Sequence, residues 1–177
     1  MKKLDCSIII VNYNTCNLTL NCIKSIQAHS LGFTYEIIVV DNASQDMSAK
    51  LLSKIEGVKY IQNHINAGFG TANNLGVKNS VGKFIFLLNS DTILIENSIK
   101  KLLDFYSDNE INLKIGALGC VLIDQNQNII NSGSYYPTSK YFLRSYLRLP
   151  IPVFKVDKRK EYQDIDFVFH MMLFDIL

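Results

Sequence analysis

Three apolar runs in the first ninety residues stop abruptly at polar clusters: Ser7-Ile-Ile-Ile-Val-Asn-Tyr-Asn14, Tyr35-Glu-Ile-Ile-Val-Val-Asp-Asn-Ala-Ser44 and Phe84-Ile-Phe-Leu-Leu-Asn-Ser-Asp-Thr92. Runs of this length without polar alternation suit strands buried on both faces, the condition of a parallel sheet. Between the first two, Leu20, Ile23 and Ile26 recur at helical spacing from Asn17 onward, with Asn14 to Asn17 as cap candidates. A second helix, capped by Asp46 or Ser48, is predicted to run through Ile55 with Leu51, Leu52 and Ile55 inward. Val58–Ile61 reads as a short third strand, Thr71–Ser80 and Glu96–Ser107 as further helices, and Ile115–Ile123 as a fifth buried strand. Asp124-Gln-Asn-Gln-Asn128 is a hairpin turn returning through Ile129 and Ile130. After a turn at Asn131–Pro137 the period is lost, and an irregular insertion to Tyr162 precedes a last strand over Ile165–Phe169. The largely apolar stretch Phe167–Leu177 carries this buried strand to the end of the chain.

Strands alternating with helices of this length require right-handed crossovers. The expected fold is therefore α/β, with a mostly parallel central sheet flanked by helices. In open sheets of that kind ligands bind just beyond the carboxyl ends of the strands, where all three polar clusters fall.

Length and composition bound what the edge belongs to. The 177 residues, 48% of them hydrophobic, support one sizeable core, so a single domain over 1–177 is expected. A net charge of +2 gives no reason to expect a nucleic-acid partner. The basic residues are uneven: Arg144, Arg148 and Arg159 lie with Lys140, Lys155, Lys158 and Lys160 in a segment whose one acid is Asp157. That segment is either a solvated face or a contact for an anionic membrane surface. Cys6, Cys16, Cys22 and Cys120 lack metal-ligand spacing and read as reduced packing residues of a cytoplasmic protein. The apolar run after Met1-Lys-Lys is too short for a signal peptide, so the mature chain is expected to start there. Phe167–Leu177 is far shorter than a membrane span.

The polar edge gathers Asn12, Tyr13 and Asn14 after the first strand, Asp41, Asn42 and Ser44 after the second, and Asn89, Ser90 and Asp91 after the fourth. Asn66-Ala-Gly-Phe-Gly-Thr-Ala-Asn-Asn74 adds a loop with two glycines, Gly68 and Gly70, running into a helix. Such a loop lets backbone approach a ligand, and the helix start offers free N–H groups to an anion, so the set suits a nucleoside diphosphate. Singly the pieces have plainer readings. Asp41–Ser44 also forms a turn that caps the following helix, and Asp91 also serves as a turn residue. The loop is neither a dinucleotide fingerprint nor a P-loop. His170, alone in an apolar run, reads as a hydrogen-bonded core residue, and a histidine metal site is not expected.

In order and wording the elements Ile9-Ile-Val-Asn-Tyr-Asn14, Val39-Val-Asp-Asn-Ala-Ser44, Asn66-Ala-Gly-Phe-Gly70 with Ala72-Asn-Asn-Leu-Gly76, and Phe86-Leu-Leu-Asn-Ser-Asp-Thr92 resemble the family-2 inverting glycosyltransferases of the GT-A fold, in particular their rhamnosyltransferase-like branch. The resemblance covers residues 4 to about 124, which it marks as a nucleotide-sugar-binding half (1–124) followed by a partial acceptor-side region (125–177). It implies a GT-A, Rossmann-like sandwich and a hexosyltransferase of bacterial-type surface polysaccharide synthesis, working in the cytoplasm at the inner face of the membrane. A dTDP- or UDP-linked donor and a saccharide or lipid-linked acceptor would be its substrates. Val11, Asn12, Tyr13, Asp41, Asn42, Ser44, Asn66, Gly68, Phe69, Gly70, Asn73, Asn89, Ser90 and Asp91 would line the donor site, with Asp41 on the base or ribose. Asn89 and Asp91 would stand for the family's Asp-x-Asp element, and Asp91 would hold Mg²⁺ or Mn²⁺ on the diphosphate. Where the family has a Gly-Ala pair, this chain has His170-Met171, and the family's Glu-Asp-x-Asp-like base element lies downstream of that point. No catalytic base is assigned. The late carboxylates Asp157, Glu161, Asp164, Asp166 and Asp175 lack the flanking pattern, so these residues are expected to bind donor and to transfer sugar slowly on their own. The alternative is a truncated or noncatalytic nucleotide-sugar-binding protein. A nucleotidyltransferase is disfavoured, because Asn12-Tyr-Asn-Thr-Cys16 lacks the glycine-rich basic loop that reaction uses.

Overall fold

Strand β1 (Leu4–Asn12) runs through the middle of the sheet, and Cys6 to Ile10 are all fully buried, as a strand covered on both faces must be. In the computed structural model, which describes residues 4–113, 115–130, 133–134, 167–168 and 171–175, β1 is followed by α1 (Cys16–His29), β2 (Tyr35–Asp41), α2 (Ser48–Leu52), β3 (Val58–Gln62), α3 (Phe69–Lys78), β4 (Gly82–Asn89) and α4 (Ser98–Leu113). The short strands β5 (Ala117–Leu118), β6 (Leu122–Ile123), β7 (Ile129–Ile130), β8 (Gly133–Ser134) and β9 (Phe167–Val168) precede β10 (Met171–Asp175). The six-stranded sheet has the order β3-β2-β1-β4-β10-β5. Its first four strands are parallel, while β10 pairs antiparallel with both β4 and β5.

Register places the site. In the β1–β2 ladder Asn12 lies opposite Asp41, and in the β1–β4 ladder Val11 lies opposite Asn89. Adjacent strands run about 4.8 Å apart, so three polar strand ends form one row. Beneath them Ile9, Ile38, Val40, Ala72 and Ile85 make a buried cluster bordered by Val11, Ile61, Leu75, Val77 and Leu87. Helix α3 comes close enough to β1 that a Cβ on Gly76 would stand 2.5 Å from Ile9 Cγ2. Glycine at this point sets the depth at which α3 packs, and with it the position of the loop leading into the helix.

Several boundaries differ from the sequence expectation. The second helix ends at Leu52 rather than Ile55: Lys54 and Ile55 donate at 3.3 Å to the carbonyls three residues back, a tight last turn. Leu52 is fully buried there, while Leu51 is 40% exposed instead of facing inward. Helix α3 begins at Phe69, two residues early, and α4 extends to Leu113. The predicted strand Ile115–Ile123 is two short strands, because Gly119 and Cys120 break it. The late apolar run contributes β9 and β10, and β10 enters the sheet antiparallel, which residue pattern alone did not reveal.

The chain divides into two compact units, residues 1–119 with 171–177, and residues 120–170. The second contains the β6–β7 hairpin expected at Asp124–Asn128, where Asp124 Oδ1 accepts the Asn126 and Asn128 N–H groups at 2.8 Å. Those bonds, the Asn128 backbone first, hold the Asp124 carboxyl below the usual range. In the same unit β8 pairs antiparallel with β9. The basic segment 140–160, His170, Asp157, Glu161, Asp164 and Asp166 lie outside the described residues.

Candidate functional site

Asn12, the last residue of β1, is fully buried and is the hub of the site. Its Oδ1 accepts the hydroxyls of Thr19 at 2.6 Å and Thr15 at 3.0 Å, both delivered by the start of α1. Its Nδ2 faces Ser44 Oγ and Ser48 Oγ at 2.9 Å and Asp41 Oδ1 at 3.0 Å. One amide thereby ties the end of β1 to α1, to the β2 terminus and to α2. Burial of so polar a group is tolerated because its bonds are made inside the protein.

Asp41 ends β2 with no exposed surface. Oδ1 accepts from Asn12, from the Ser44 hydroxyl and, at 3.3 Å, from the Ser44 backbone. Oδ2 accepts the Tyr60 phenol at 2.6 Å. The Asp41–Ser44 turn therefore exists, yet it does not cap α2. Asp46 does that instead, accepting the Ser48 N–H at 2.9 Å on Oδ1 and the Cys16 N–H of α1 at 3.1 Å on Oδ2. Burial would raise the Asp46 carboxyl, but hydrogen bonds from Ser48 and Cys16 outweigh it and hold the group below the usual range. Two non-glycine residues take left-handed backbone beside this network, Asn14 (φ 55) and Ala43 (φ 68). Asn14 is held there by its N–H on Ser44 Oγ and by its Oδ1 on the Gln45 N–H, each 2.8 Å.

Asn42 is 2% exposed and reaches the glycine loop. Its Nδ2 donates to Asn66 Oδ1 at 2.7 Å, and its Oδ1 accepts Asn63 Nδ2 at 3.0 Å and the Ala67 N–H at 3.1 Å. Asn66 in turn accepts the Gly68 N–H at 3.0 Å. Gly68, at φ 83, supplies the left-handed turn into α3, and a Cβ there or on Gly70 would meet nothing within 4 Å. Open space thus lies over the loop. Phe69 is 54% exposed beside it, whereas Asn73 is nearly buried and donates to Phe69 O at 3.1 Å within its own helix.

At the end of β4, Asn89 and Ser90 are half-buried, Ser90 Oγ lying 3.2 Å from Thr15 Oγ1, and Asp91 is exposed. Tyr13 is also exposed, and Val11 packs against the core cluster. Beneath this edge Cys22 is sealed: burial first, with the negative Asp91 adding, pushes its thiol up to about 12. Among the described residues no three or more His, Cys, Asp and Glu side chains converge on a metal position. Asn89, Ser90 and Asp91 offer only oxygen and amide donors, the chemistry a hard cation takes, with Asp91 the one carboxylate among them. The structure thus brings Asn12, Asp41, Asn42, Ser44 and Asn66 into one network and sets Gly68 at its end. Thr19, Asn63 and Tyr60 belong to the same network without having been singled out in the sequence, and Thr15 and Ser48 join it after entering only as helix-cap candidates. Tyr60 left no signal of its own, because it reaches Asp41 only through the β2–β3 register, in which Gln62, on the same strand face, lies opposite Asp41.

Residues 7–175 match the protein family described as Glycosyl transferase family 2. The chain belongs to that family. Family-2 relatives include a glycosyltransferase of Rickettsia conorii, RC0461, 36% identical over 108 residues that make up 58% of this chain and 17% of the relative. Another is the poly(ribitol-phosphate) β-N-acetylglucosaminyltransferase TarP of Staphylococcus aureus, 31% identical over 67% of this chain and 37% of TarP. Against the three rickettsial relatives this chain spans only 17–20% of their length. Among solved structures, S. aureus TarS 1–349 in complex with UDP-GlcNAc superimposes with a TM-score of 0.60 at 21% identity, over 73% of this chain and 38% of that one. A mannosyltransferase of Pyrobaculum calidifontis, in complex with GDP-Man and Mn²⁺, gives 0.56 at 17% identity, over 68% and 36%. The fold is that of the GT-A glycosyltransferases. No helix among the described residues is long and apolar enough to cross a membrane.

Proposed function

We propose that this chain forms the donor-binding part of a family-2 glycosyltransferase that moves a hexose, with inversion, from a UDP- or dTDP-linked donor to a saccharide or lipid-linked acceptor of a surface polysaccharide. The observation that carries the reading is the convergence, in one row of strand ends, of the Asn12–Asp41–Asn42 network, the open Gly68 loop and the Asn89–Asp91 carboxyl end of β4. In this reading Tyr13 and Asp41 lie on the nucleoside side of the donor, and the amides that open α3 face the diphosphate. Asn89 and Asp91 would hold Mg²⁺ or Mn²⁺, and that cation would neutralise charge on the departing diphosphate. Support for the nucleotide comes from the UDP-GlcNAc bound to TarS, and support for the cation from the Mn²⁺ of the Pyrobaculum enzyme.

Transfer itself joins an acceptor oxygen to the anomeric carbon as the bond to the diphosphate oxygen breaks, and the acceptor proton passes to a base. No residue of this chain is assigned that part. The rhamnosyltransferase-like branch, work at the inner membrane face and the division into a donor half (1–124) and an acceptor-side part (125–177) complete the proposal. Titration calorimetry with UDP tests its centre. Binding is expected to strengthen about tenfold or more with Mn²⁺, about 1.4 kcal/mol, and Asp91→Ala is expected to lose that increment. Equal affinity with and without metal in both proteins would remove Asp91 from its place.

A further inference from the structure

The phenol of Tyr60 has one proton and two acceptors: Asp41 Oδ2 at 2.6 Å and Gln62 Oε1 at 2.5 Å. It can donate to only one of them at a time. Gln62 Nε2 donates to Asn63 O at 3.1 Å, an orientation that turns Oε1 toward the phenol as the second acceptor. Strand register accounts for the grouping, since Gln62 lies opposite Asp41 and Tyr60 is two residues back on the same face of β3. Asp41 has no exposed surface, Tyr60 is half-buried and Gln62 is exposed. A ligand approaching the Oδ2 side of Asp41 therefore meets the Tyr60 hydroxyl first.

We propose that Tyr60 is a positioning and selectivity residue whose hydroxyl occupies Asp41 Oδ2 in the free protein and passes to Gln62 when a ligand N–H or O–H takes its place. The proposal rests on the nucleotide reading and deepens it. Only a ligand group that donates a hydrogen bond restores the partner Oδ2 loses, because a buried carboxylate oxygen left without one is costly. An acceptor atom presented at that position is rejected. The imide N–H of a uracil or thymine ring has the required polarity, so the exchange selects for the base while leaving no buried polar group unpaired in either state, exposed Gln62 Oε1 being open to water in the free one. The phenol is well suited to act as donor throughout: burial and then its bond to Asp41 push its ionisation above the ordinary tyrosine range.

Exchange makes a prediction that a purely structural role for Tyr60 does not, namely that stability and affinity move in opposite directions. Tyr60→Phe removes the occupant of Oδ2, so the variant is expected to melt earlier than the parent yet bind UDP on the order of 3–10-fold more tightly. N3-methyl-UDP, which has no imide proton, is expected to show no such gain. Gln62→Leu removes the alternative acceptor from an exposed site, and it is expected to weaken UDP binding by a similar factor without lowering the melting temperature. In the double variant the Gln62→Leu effect is expected to vanish, since no hydroxyl remains to be rehoused. Unchanged or weaker UDP binding by folded Tyr60→Phe, or a gain that persists with N3-methyl-UDP, would overturn the exchange. Should Tyr60→Phe not fold, undiminished UDP binding by Gln62→Leu would overturn it. A parent chain that binds no UDP at all, with or without Mn²⁺, would instead overturn the nucleotide reading and this proposal along with it.

Discussion

The two ends of the parallel strands solve different problems with similar residues. At the amino end, polar groups join strands in short local links: Ser7 Oγ donates to Glu36 Oε1 at 2.6 Å and accepts the Gly82 N–H at 2.9 Å, Glu36 Oε1 also takes the Val81 N–H at 2.8 Å, and Asp5 and Thr34 bond one another at the surface. The space there is tight, because a Cβ on Gly82 would stand 2.5 Å from Ser7 N and 2.6 Å from Cys6 C. At the carboxyl end the groups share partners. Asn12 alone contacts five side chains from four segments, and Asp41 and Asn42 extend the set to Tyr60 and Asn66. One end is constrained by shape and the other by hydrogen-bond supply, which is why a substitution should spread at the second and stay local at the first.

The largest expected effect is at Asn12. Asn12→Ala takes one partner from Asp41 and leaves the Thr19 and Ser48 hydroxyls short of theirs in a buried setting, and is expected to cost about 3–4 kcal/mol in urea unfolding. Ser7→Ala at the opposite end should cost about 1–2 kcal/mol. Combining Asn12→Ala with Ser48→Ala should show strong non-additivity, while Asn12→Ala with Ser7→Ala should be additive; the reverse pattern would erase the contrast. Gly82→Ala comes next, about 2–3 kcal/mol, because the obstacle is backbone. Gly76→Ala should cost about 1 kcal/mol: the obstacle is the Ile9 side chain, and alanine returns about 1 kcal/mol of helix propensity.

Asp46 sharpens the comparison through pH. Its folded carboxyl is held below the ordinary value of 3.8, so its contribution is present above that value and lost as pH falls through the folded one. Asp46→Ala should cost about 1 kcal/mol at neutral pH, and the gap between parent and Asp46→Asn should narrow in unfolding measurements below pH 3.8. Smallest is the effect on thiol chemistry. Cys6, Cys16 and Cys22 are buried with thiols raised mainly by that burial, so under native conditions a thiol reagent is expected to label Cys120 first and the other three only with unfolding.

Much of this was legible because a buried strand ending in Asn or Asp is a strong signal, and three of them, the first, second and fourth strands of one βα alternation, place their ends along one edge of a parallel sheet. The runs at Ile8, Ile37 and Phe84 therefore gave strand, direction and edge together. What stayed hidden depends on tertiary pairing. Nothing near Tyr60 in sequence says that its hydroxyl meets Asp41, nineteen residues back. Nor does the pattern of Met171–Asp175 reveal its antiparallel place beside β4, since a strand covered on both faces reads alike in either direction. The glycine-broken stretch after Ile115 failed for the opposite reason, because apolar composition masked how little of it forms a ladder.

The position of β10 also has a consequence for synthesis. It covers the edge of β4, with Met171 opposite Leu88 and Asp175 opposite Phe84, but it follows β4 by about eighty residues. At the ribosome's pace of about 5–20 residues per second, β4 waits about 4–16 s with one row of its N–H and C=O groups unpaired. An open apolar edge is a template for the same edge of another nascent chain. The parallel half can assemble early from near-neighbour contacts, whereas closure of the β4 edge must await β10. For this chain the vulnerable period is set by the arrival of β10, and a chaperone that shields strand edges would act in that interval.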